Sequence, residues 1–518
     1  MTPTVTDTTT PSAAPGLEAL DGPGIALATG GRLLRSSRRP VRGGAVDSRR
    51  VQPGNAFFAL PGERTDGHAF LRDAVGRGAA ALVVSRELAP DELDALAALS
   101  DGGVSIIRVA DPLRALQAVA GAWRAGFSPL VVGVTGSVGK TSTKEAVATV
   151  LARRWHVLRS EGNENNEIGL PLTLLRLNRA HEVAVVEMGM YVAGEIAELA
   201  AIARPAVGVV TAVRGVHLER AGTIEAIERG KGQLVEALPD DGAAVLNGDD
   251  PRVRRMASRT RARVLTYGFG PDNDVAAAAV TSAGAEGMRF VLRLGGPGAA
   301  TSTAVRLPVP GRHSVENALA AAAVGWALGL GLEEIVEGLE EGWSAPHRTQ
   351  LLRAGPWLIL DDSYNAGPDS MKAALDLLVT LPGRHVAVLG EMLELGPQAA
   401  ALHWEVGRHA AERSDLLVVV GDGARQIAAG AREAGAAPGR VVVTSDRQAA
   451  LAVLRDLLAA GDAVLFKGSR GAALDELVSA VVELAGPFEE RPGASADQRG
   501  GGAGGTGSGV HPGGGRPA

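Results

Sequence analysis

The segment that most constrains this chain is Thr135-Gly136-Ser137-Val138-Gly139-Lys140-Thr141-Ser142, which follows the apolar run Leu130–Val134 and opens a helix-forming stretch. A buried strand, a glycine loop and a helix, in that order, is the context a phosphate-binding loop requires. The glycines let backbone N–H groups approach a phosphate, and the helix N-terminus adds partial positive charge. Lys140 is expected to reach the outer phosphates of ATP and Thr141 to hold Mg²⁺. Gly136, Ser137, Val138, Gly139 and Ser142 complete the expected ATP-binding loop. The strict pattern has its first glycine where this chain has Val134. A plain glycine turn before a helix is the alternative, but Gly-Lys-Thr behind a buried strand is a demanding match.

Other apolar runs place this loop in an α/β framework. Val183–Val186 and Val207–Thr211 read as two further buried strands. From about Ala345 onward, strands at Trp357–Leu360, His385–Leu389, Leu416–Val420, Val441–Thr444 and Ala463–Phe466 alternate with helical segments. Such alternation predicts a parallel sheet covered by helices, of Rossmann-like type. Upstream, Ala56–Leu60 followed by Pro61-Gly62 and the run Ala79–Val84 predict a smaller α/β domain. With 518 residues the chain is long enough for three domains. The expected boundaries are 26–128, a central ATP-binding domain at 129–344 with a mainly parallel sheet, and a C-terminal domain at 345–486. Residues 1–25 and the Gly-rich 487–518 are expected to be disordered, having too little apolar surface to bury.

Composition excludes several functions. The formal charge of −6 argues against a nucleic-acid partner, which calls for a basic excess. The absence of cysteine removes disulfides, thiolate metal sites and cysteine nucleophiles. The N-terminus has neither a basic start nor an apolar core and does not read as a signal peptide. The longest uncharged apolar stretch, Ala318–Leu332, is shorter than the roughly 20 residues a membrane span needs and reads as a buried helix. A cytoplasmic protein without membrane insertion, and a monomer, is the expectation.

Glu187 follows the strand ending at Val186. A carboxylate at the carboxyl end of a parallel strand beside a phosphate loop is a candidate Mg²⁺ ligand. His217, shortly after the strand ending at Thr211, is a second candidate. Lysine usage adds to this reading. The chain has 52 basic residues, of which only Lys140, Lys144, Lys231, Lys372 and Lys467 are lysines. Retained lysines mark positions where a compact amine serves and a guanidinium cannot. Chance is the simpler explanation for Lys144 and Lys372, which read as helix-surface residues. It is less attractive for Lys140 and for Lys231, set between Gly230 and Gly232.

From about Asp47 to Ala485 the chain resembles the Mur ligases, the ATP-dependent amide-forming enzymes of peptidoglycan synthesis. The likeness rests on Asp47-Ser48-Arg49, Pro53–Gly62, Asp66-Gly67-His68, Gly162–Thr173, Asn247-Gly248-Asp249-Asp250, Gly311–Asn317, Pro346-His347-Arg348, Asp361–Met371, Leu389–Gly396 and Lys467–Gly471. The Asn-rich and Asp361–Met371 segments are similar to the branch that joins D-alanyl-D-alanine to UDP-N-acetylmuramoyl-tripeptide through an acyl phosphate. The resemblance implies that Glu187 and His217 bind metal and that Lys231 is carbamylated, its anion helping to hold a second Mg²⁺. It places Asn317 at the adenine, Arg348 at the ATP phosphates and Asp362 at the ribose. It assigns Lys140, Lys231 and His217 to catalysis. Ser48, Arg49, Asn165, Asn166, Tyr364 and Asn365 become substrate-binding candidates, the last two near the dipeptide. Gln233 stands where the family often has Glu, and Gly367 where it usually has Asn. Sibling ligases, including folylpolyglutamate synthases, are the nearest alternatives. Third-residue-adding enzymes of the diaminopimelate type carry an Asp-Asn-Pro-Arg motif that this chain lacks. A silent scaffold would have lost Lys140, Glu187 or His217, and all three are present.

Overall fold

The computed structural model describes residues 20–62, 65–100, 103–215, 222–296 and 301–486. His217 and the Gly-rich stretch from 487 therefore lie outside the described residues.

Three sheets follow one another along the chain. The first contains β1 (Arg32–Arg35), β2 (Gly44–Ala45), β3 (Ala56–Phe58), β4 (Ala81–Val84) and β5 (Ser105–Arg108). Its order is β1-β5-β4-β3-β2, with only β1 antiparallel to its neighbour. A helix at Gly22–Thr29 precedes β1, and its first turn overlaps residues 22–25 of the stretch expected to be disordered. Composition misled here because one cap and one buried side chain suffice. Asp21 accepts from Gly24 N at 2.7 Å, and Ile25 is fully buried.

The central sheet has nine strands: β6 (Leu130–Thr135), β7 (Val157–Arg159), β8 (Val183–Glu187), β9 (Val207–Val210), β10 (Ala243–Asn247), β11 (Arg263–Gly268), β12 (Val275–Ser282), β13 (Met288–Leu294) and β14 (Thr301–Leu307). The order is β14-β13-β12-β11-β10-β9-β6-β8-β7. β7 to β12 pair in parallel, and β12, β13 and β14 form an antiparallel extension. The valine-rich β6, β8 and β9 show no polar alternation because helices cover both faces. β6 lies between β8 and β9, so its carboxyl end falls at a topological switch point, where open α/β sheets bind ligands.

The apolar run Ala318–Leu332 is not a single helix. One helix spans Arg312–Ala327, Gly329 turns at φ +82°, and a second spans Leu332–Glu341. Ala318 and Ala320 to Ala323 are fully buried, and their small side chains let the first helix lie against the helix Lys140–Leu151. At Gly325 a Cβ would stand 3.1 Å from Val150 Cγ1; at Gly338 one would stand 2.7 Å from Val150 Cα. No helix among the described residues is long and apolar enough to cross a membrane.

The third sheet comprises β15 (Gln350–Ala354), β16 (Trp357–Asp361), β17 (His385–Leu389), β18 (Leu416–Val420), β19 (Val441–Thr444) and β20 (Ala463–Lys467), ordered β15-β16-β20-β17-β18-β19. Only β15 is antiparallel to its neighbour. The first two sheets share a hydrophobic core, in which Phe58, Val83 and Ile107 join Val186 and Leu234. The third has separate cores on its two faces. The N-terminal unit is further fastened by Trp123 Nε1 donating to Leu177 O at 3.0 Å and by Arg50 paired with Glu164 at 3.3 Å.

Candidate active site

The loop after β6 is shaped by its closeness to β9. At Gly136 a Cβ would fall 1.8 Å from Thr211 Oγ1, so no other residue fits without displacing Thr211. Thr211 Oγ1 donates to Val138 O at 2.6 Å, and Ser137 N donates to Ala212 O at 2.7 Å. Ser137 Oγ donates to Arg214 O at 3.0 Å and accepts from Arg214 N at 2.9 Å. Arg214 is itself paired with the buried Asp250 at 2.6 Å. Gly139, at φ +81°, starts the helix Lys140–Leu151. Beside it, Thr143 Oγ1 donates to Asn317 Oδ1 at 2.9 Å, which brings the expected adenine residue to the back of the loop.

Lys140 Nζ and Lys231 Nζ both donate to Gly136 O, at 3.0 and 2.9 Å. Lys231 reaches this point from the helix Ile224–Glu236, and its flanking glycines explain how. A Cβ at Gly230 would meet Met190 Sδ at 2.6 Å, and one at Gly232 would meet Arg259 Nη1 at 2.4 Å. Burial pushes the Lys231 amine well below the usual lysine range, and the Lys140 charge pushes it further against the pull of Glu187. Burial also lowers Lys140; Glu187 opposes the shift and Arg348 adds to it.

Glu187 ends β8 and is 1 % exposed. Its Oε2 accepts from Thr141 Oγ1 at 2.8 Å and its Oε1 from Asn165 Nδ2 at 2.7 Å. Asn166 meets the local backbone. Its Oδ1 accepts from Gly169 N at 2.8 Å and from Ile168 N at 3.3 Å, just before the helix Gly169–Leu174. Lys144, a surface residue on the sequence reading, is fully buried. Its Nζ donates to Ser160 O at 2.5 Å and pairs with Glu145 at 2.7 Å. Lys372 is two-thirds buried and pairs with Glu405 at 3.2 Å. Among the described residues no group of three or more His, Asp or Glu converges as a metal cage.

Across from this loop stands the edge of the third sheet. A cleft of about 400 Å³ between them is lined by Ser142, Pro310 and Ser314 on one side and Arg348, Thr349 and Gln350 on the other. Arg348 lies between two non-glycine residues with left-handed backbone, His347 at φ +59° and Thr349 at φ +51°. A β-branched residue in that region is strained and needs anchoring. His347 Nδ1 is 2.8 Å from Asp361 Oδ2, and Thr349 N donates to Asp362 Oδ1 at 3.1 Å. Thr349 Oγ1 also hydrogen-bonds His313 Nε2 at 3.0 Å, tying the segment to the helix that carries Asn317. Asp362 is neutralised by the buried Lys467 at 2.6 Å. Tyr364 lies beneath Arg348, whose Cζ is 4.1 Å from the ring centre. Lys467 Nζ also donates to Asn365 O at 2.9 Å. At the far end, Ser48 is buried against Asp73, and Arg49 is exposed and paired with Asp47 at 2.7 Å.

Most expected residues thus fall on two facing walls, the phosphate loop with Glu187 and Lys231, and the β16–β20 edge with Arg348, Asp362, Tyr364 and Asn365. Ser48 and Arg49 lie apart in the first domain. Thr211, Arg214 and Ser160 carry no signal in the sequence, since only their tertiary contacts mark them.

A phosphate loop at a sheet switch point, facing a second Rossmann-like sheet across a strained linker, defines an α/β nucleotide-dependent enzyme of several domains. Three family descriptions match in order: "Mur ligase family, catalytic domain" over residues 41–124, "Mur ligase middle domain" over 134–325 and "Mur ligase, glutamate ligase domain" over 347–470. The chain belongs to the Mur ligase family. It is 40 % identical over 474 residues to the UDP-N-acetylmuramoyl-tripeptide–D-alanyl-D-alanine ligase of Mycobacterium tuberculosis, covering 84 % of this chain and 91 % of that one. The Bacillus subtilis enzyme of the same name is 35 % identical over 448 residues, 86 % and 93 % of the two chains. MurF of Acinetobacter baumannii superposes with a TM-score of 0.79 at 31 % identity, over 90 % of this chain and all of that one. MurF of Thermotoga maritima, in complex with ADP, does so at 0.73 and 28 % identity, over 86 % and 98 %.

The Gly136 contact generates a direct test. Gly136→Ala is expected to lower the unfolding free energy by about 1–3 kcal/mol, the usual cost of overpacking. It should reduce ATP-dependent turnover on the order of 100-fold, as a displacement of about 1 Å at a positioning loop does. Wild-type turnover in that variant would contradict the loop geometry.

Proposed function

We propose that this chain is an ATP-dependent ligase joining D-alanyl-D-alanine to UDP-N-acetylmuramoyl-tripeptide, with release of ADP and phosphate, in the synthesis of the peptidoglycan precursor. The observation that carries this reading is the likeness, over 84 % and 86 % of the chain, to two ligases of that name, combined with the phosphate loop facing the β16–β20 edge. A carboxylate is a poor electrophile, so amide formation needs a leaving group. Transfer of the γ-phosphoryl of ATP to the tripeptide carboxylate gives an acyl phosphate and ADP. The amine of the dipeptide then attacks the carbonyl carbon and loses a proton, and the tetrahedral adduct expels phosphate. Arg348 lines the cleft, and Lys140, its Nζ on Gly136 O within the phosphate loop, lies near enough to feel the Arg348 charge; these two cations neutralise the transferring phosphoryl group. Asn317 and Asp362 hold the nucleoside. Ser48 and Arg49 belong to the wall for the UDP end, Asn165 and Asn166 to the muramoyl-peptide wall, and Tyr364 and Asn365 to the dipeptide wall.

The donors fit Mg²⁺. The Thr141 hydroxyl and Glu187 carboxylate form a compact all-oxygen pair at 2.8 Å, and a hard cation that keeps its waters needs few protein ligands. His217 is the further candidate ligand. Bound there, Mg²⁺ supplies charge neutralisation for the phosphates. Lys231 is suited to carbamylation, because burial favours the neutral amine that adds CO₂ with loss of a proton. The resulting carbamate fits a second Mg²⁺.

Two outcomes test the reading. ADP release should require both the UDP-tripeptide and D-alanyl-D-alanine, and Lys140→Ala should abolish it; release without the dipeptide at the full rate would count against a ligase. Glu187→Gln keeps the side-chain shape but removes the charge. It should raise the Mg²⁺ concentration for half-maximal activity by about tenfold or more, and an unchanged Mg²⁺ titration would remove Glu187 from the metal site.

A further inference from the structure

The edge formed by β16, β20 and β17 holds a cation that the reaction scheme leaves unused. Arg470 sits in a 3₁₀ turn, Arg470–Ala472, directly after β20, and Ala473 at φ +46° fixes the exit of that turn. Arg470 Nη1 donates to Tyr364 Oη at 3.0 Å, and its Cζ is 5.4 Å from the centre of the same ring that Arg348 covers at 4.1 Å. Among the described residues neither arginine pairs with a carboxylate. Two acids of this edge are already engaged, Asp362 by Lys467 and Asp361 by His347. Two guanidinium groups on one tyrosine, both lacking a counter-charge, call for two anions. Arg348 lines the cleft beside Ser142 and faces the phosphate side.

We propose that Arg470 is a specificity-determining residue that binds the C-terminal carboxylate of the incoming dipeptide, with Tyr364 holding the guanidinium in place. This rests on the function proposed above. The dipeptide has two ionisable ends, an amine that must be deprotonated to attack and a carboxylate that survives the reaction. Fixing the carboxylate leaves the amine two residues away, about 7 Å in an extended chain. The hydrogen bond to Tyr364 occupies one of the five guanidinium N–H donors, and the remainder suit a planar carboxylate. Leu393 provides apolar surface beside this cation. It is 44 % exposed, its Cδ1 would be 2.9 Å from a Cβ at Gly471, and its backbone N donates to Ser469 Oγ at 2.9 Å. A cation flanked by a small apolar surface matches a carboxylate flanked by a methyl group.

The experiment compares D-alanyl-D-alanine with its C-terminal carboxamide, in the wild-type chain, Arg470→Gln and Arg470→Lys. Wild type should favour the carboxylate by about 100-fold in kcat/KM, the discrimination expected when a site built for a charged hydrogen bond meets an analogue lacking it. In Arg470→Gln that ratio should fall to within a few-fold, through loss on the carboxylate substrate alone. Arg470→Lys should recover part of the ratio. KM for ATP and for the UDP-tripeptide should stay at wild-type values in both variants. An undiminished ratio in Arg470→Gln overturns the proposal, and so does an equal loss on both substrates, which marks a structural role. Failure of the wild-type chain to ligate the dipeptide at all overturns the proposed function, and the carboxylate anchor with it.

Discussion

Two lysine amines converge on one carbonyl oxygen, that of Gly136, and the arrangement of the central domain follows from making that possible. The nitrogens stand 3.0 and 2.9 Å from the oxygen, so they are at most about 6 Å apart. Two unit charges at that distance repel by about 3 kcal/mol at an effective dielectric of about 20. The site relieves this on the Lys231 side, where burial favours the neutral amine. The convergence also demands close backbone approach. Gly136 abuts Thr211, and Gly230 and Gly232 admit Met190 and Arg259 so that the helix bearing Lys231 can lie beside the loop.

The second constraint is the joint between the central and C-terminal units. The N-terminal unit shares its core with the central sheet, whereas the third sheet buries its own two faces. Near the joint, polar links join the two units, His313 with Thr349 and Arg214 with Asp369 at 3.8 Å, and Ala285 of the central unit packs against one core of the third. Strain at His347 and Thr349 is held by Asp361, Asp362 and His313. Arg348 is therefore positioned by both walls at once. A ligase that must assemble three substrates and exclude water benefits from such a joint, because closure brings phosphate, acceptor and amine together.

Much of this is legible in the sequence where burial is two-sided. The strands His385–Leu389, Leu416–Val420 and Val441–Thr444 match the structure to the residue because continuous apolar runs leave no other reading. The antiparallel β12 to β14 are not legible in the same way. β12 is alanine-rich and β14 is mostly polar and exposed, so neither carries a strong period. β15, a half-exposed edge strand, escapes notice for the same reason. At the site, Lys140, Thr141 and Glu187 stand out because loop chemistry and strand ends are local signals. Lys144 does not, because its partner Ser160 O lies on a different segment and helix position alone suggests exposure. The bond from Gly169 N to Asn166 Oδ1 is likewise not legible, because it depends on a turn that composition does not encode.

Phosphorylation of the peptide carboxylate before the amine attacks is the step on which the proposed reaction turns. It is tested most directly with UDP-N-acetylmuramoyl-tripeptide carrying ¹⁸O in both oxygens of its terminal carboxylate. If an acyl phosphate forms, its bridging oxygen leaves with the phosphate. Mass spectrometry should then find one ¹⁸O in each released phosphate and one in each new amide. Release of unlabelled phosphate alongside normal ligation would contradict the account.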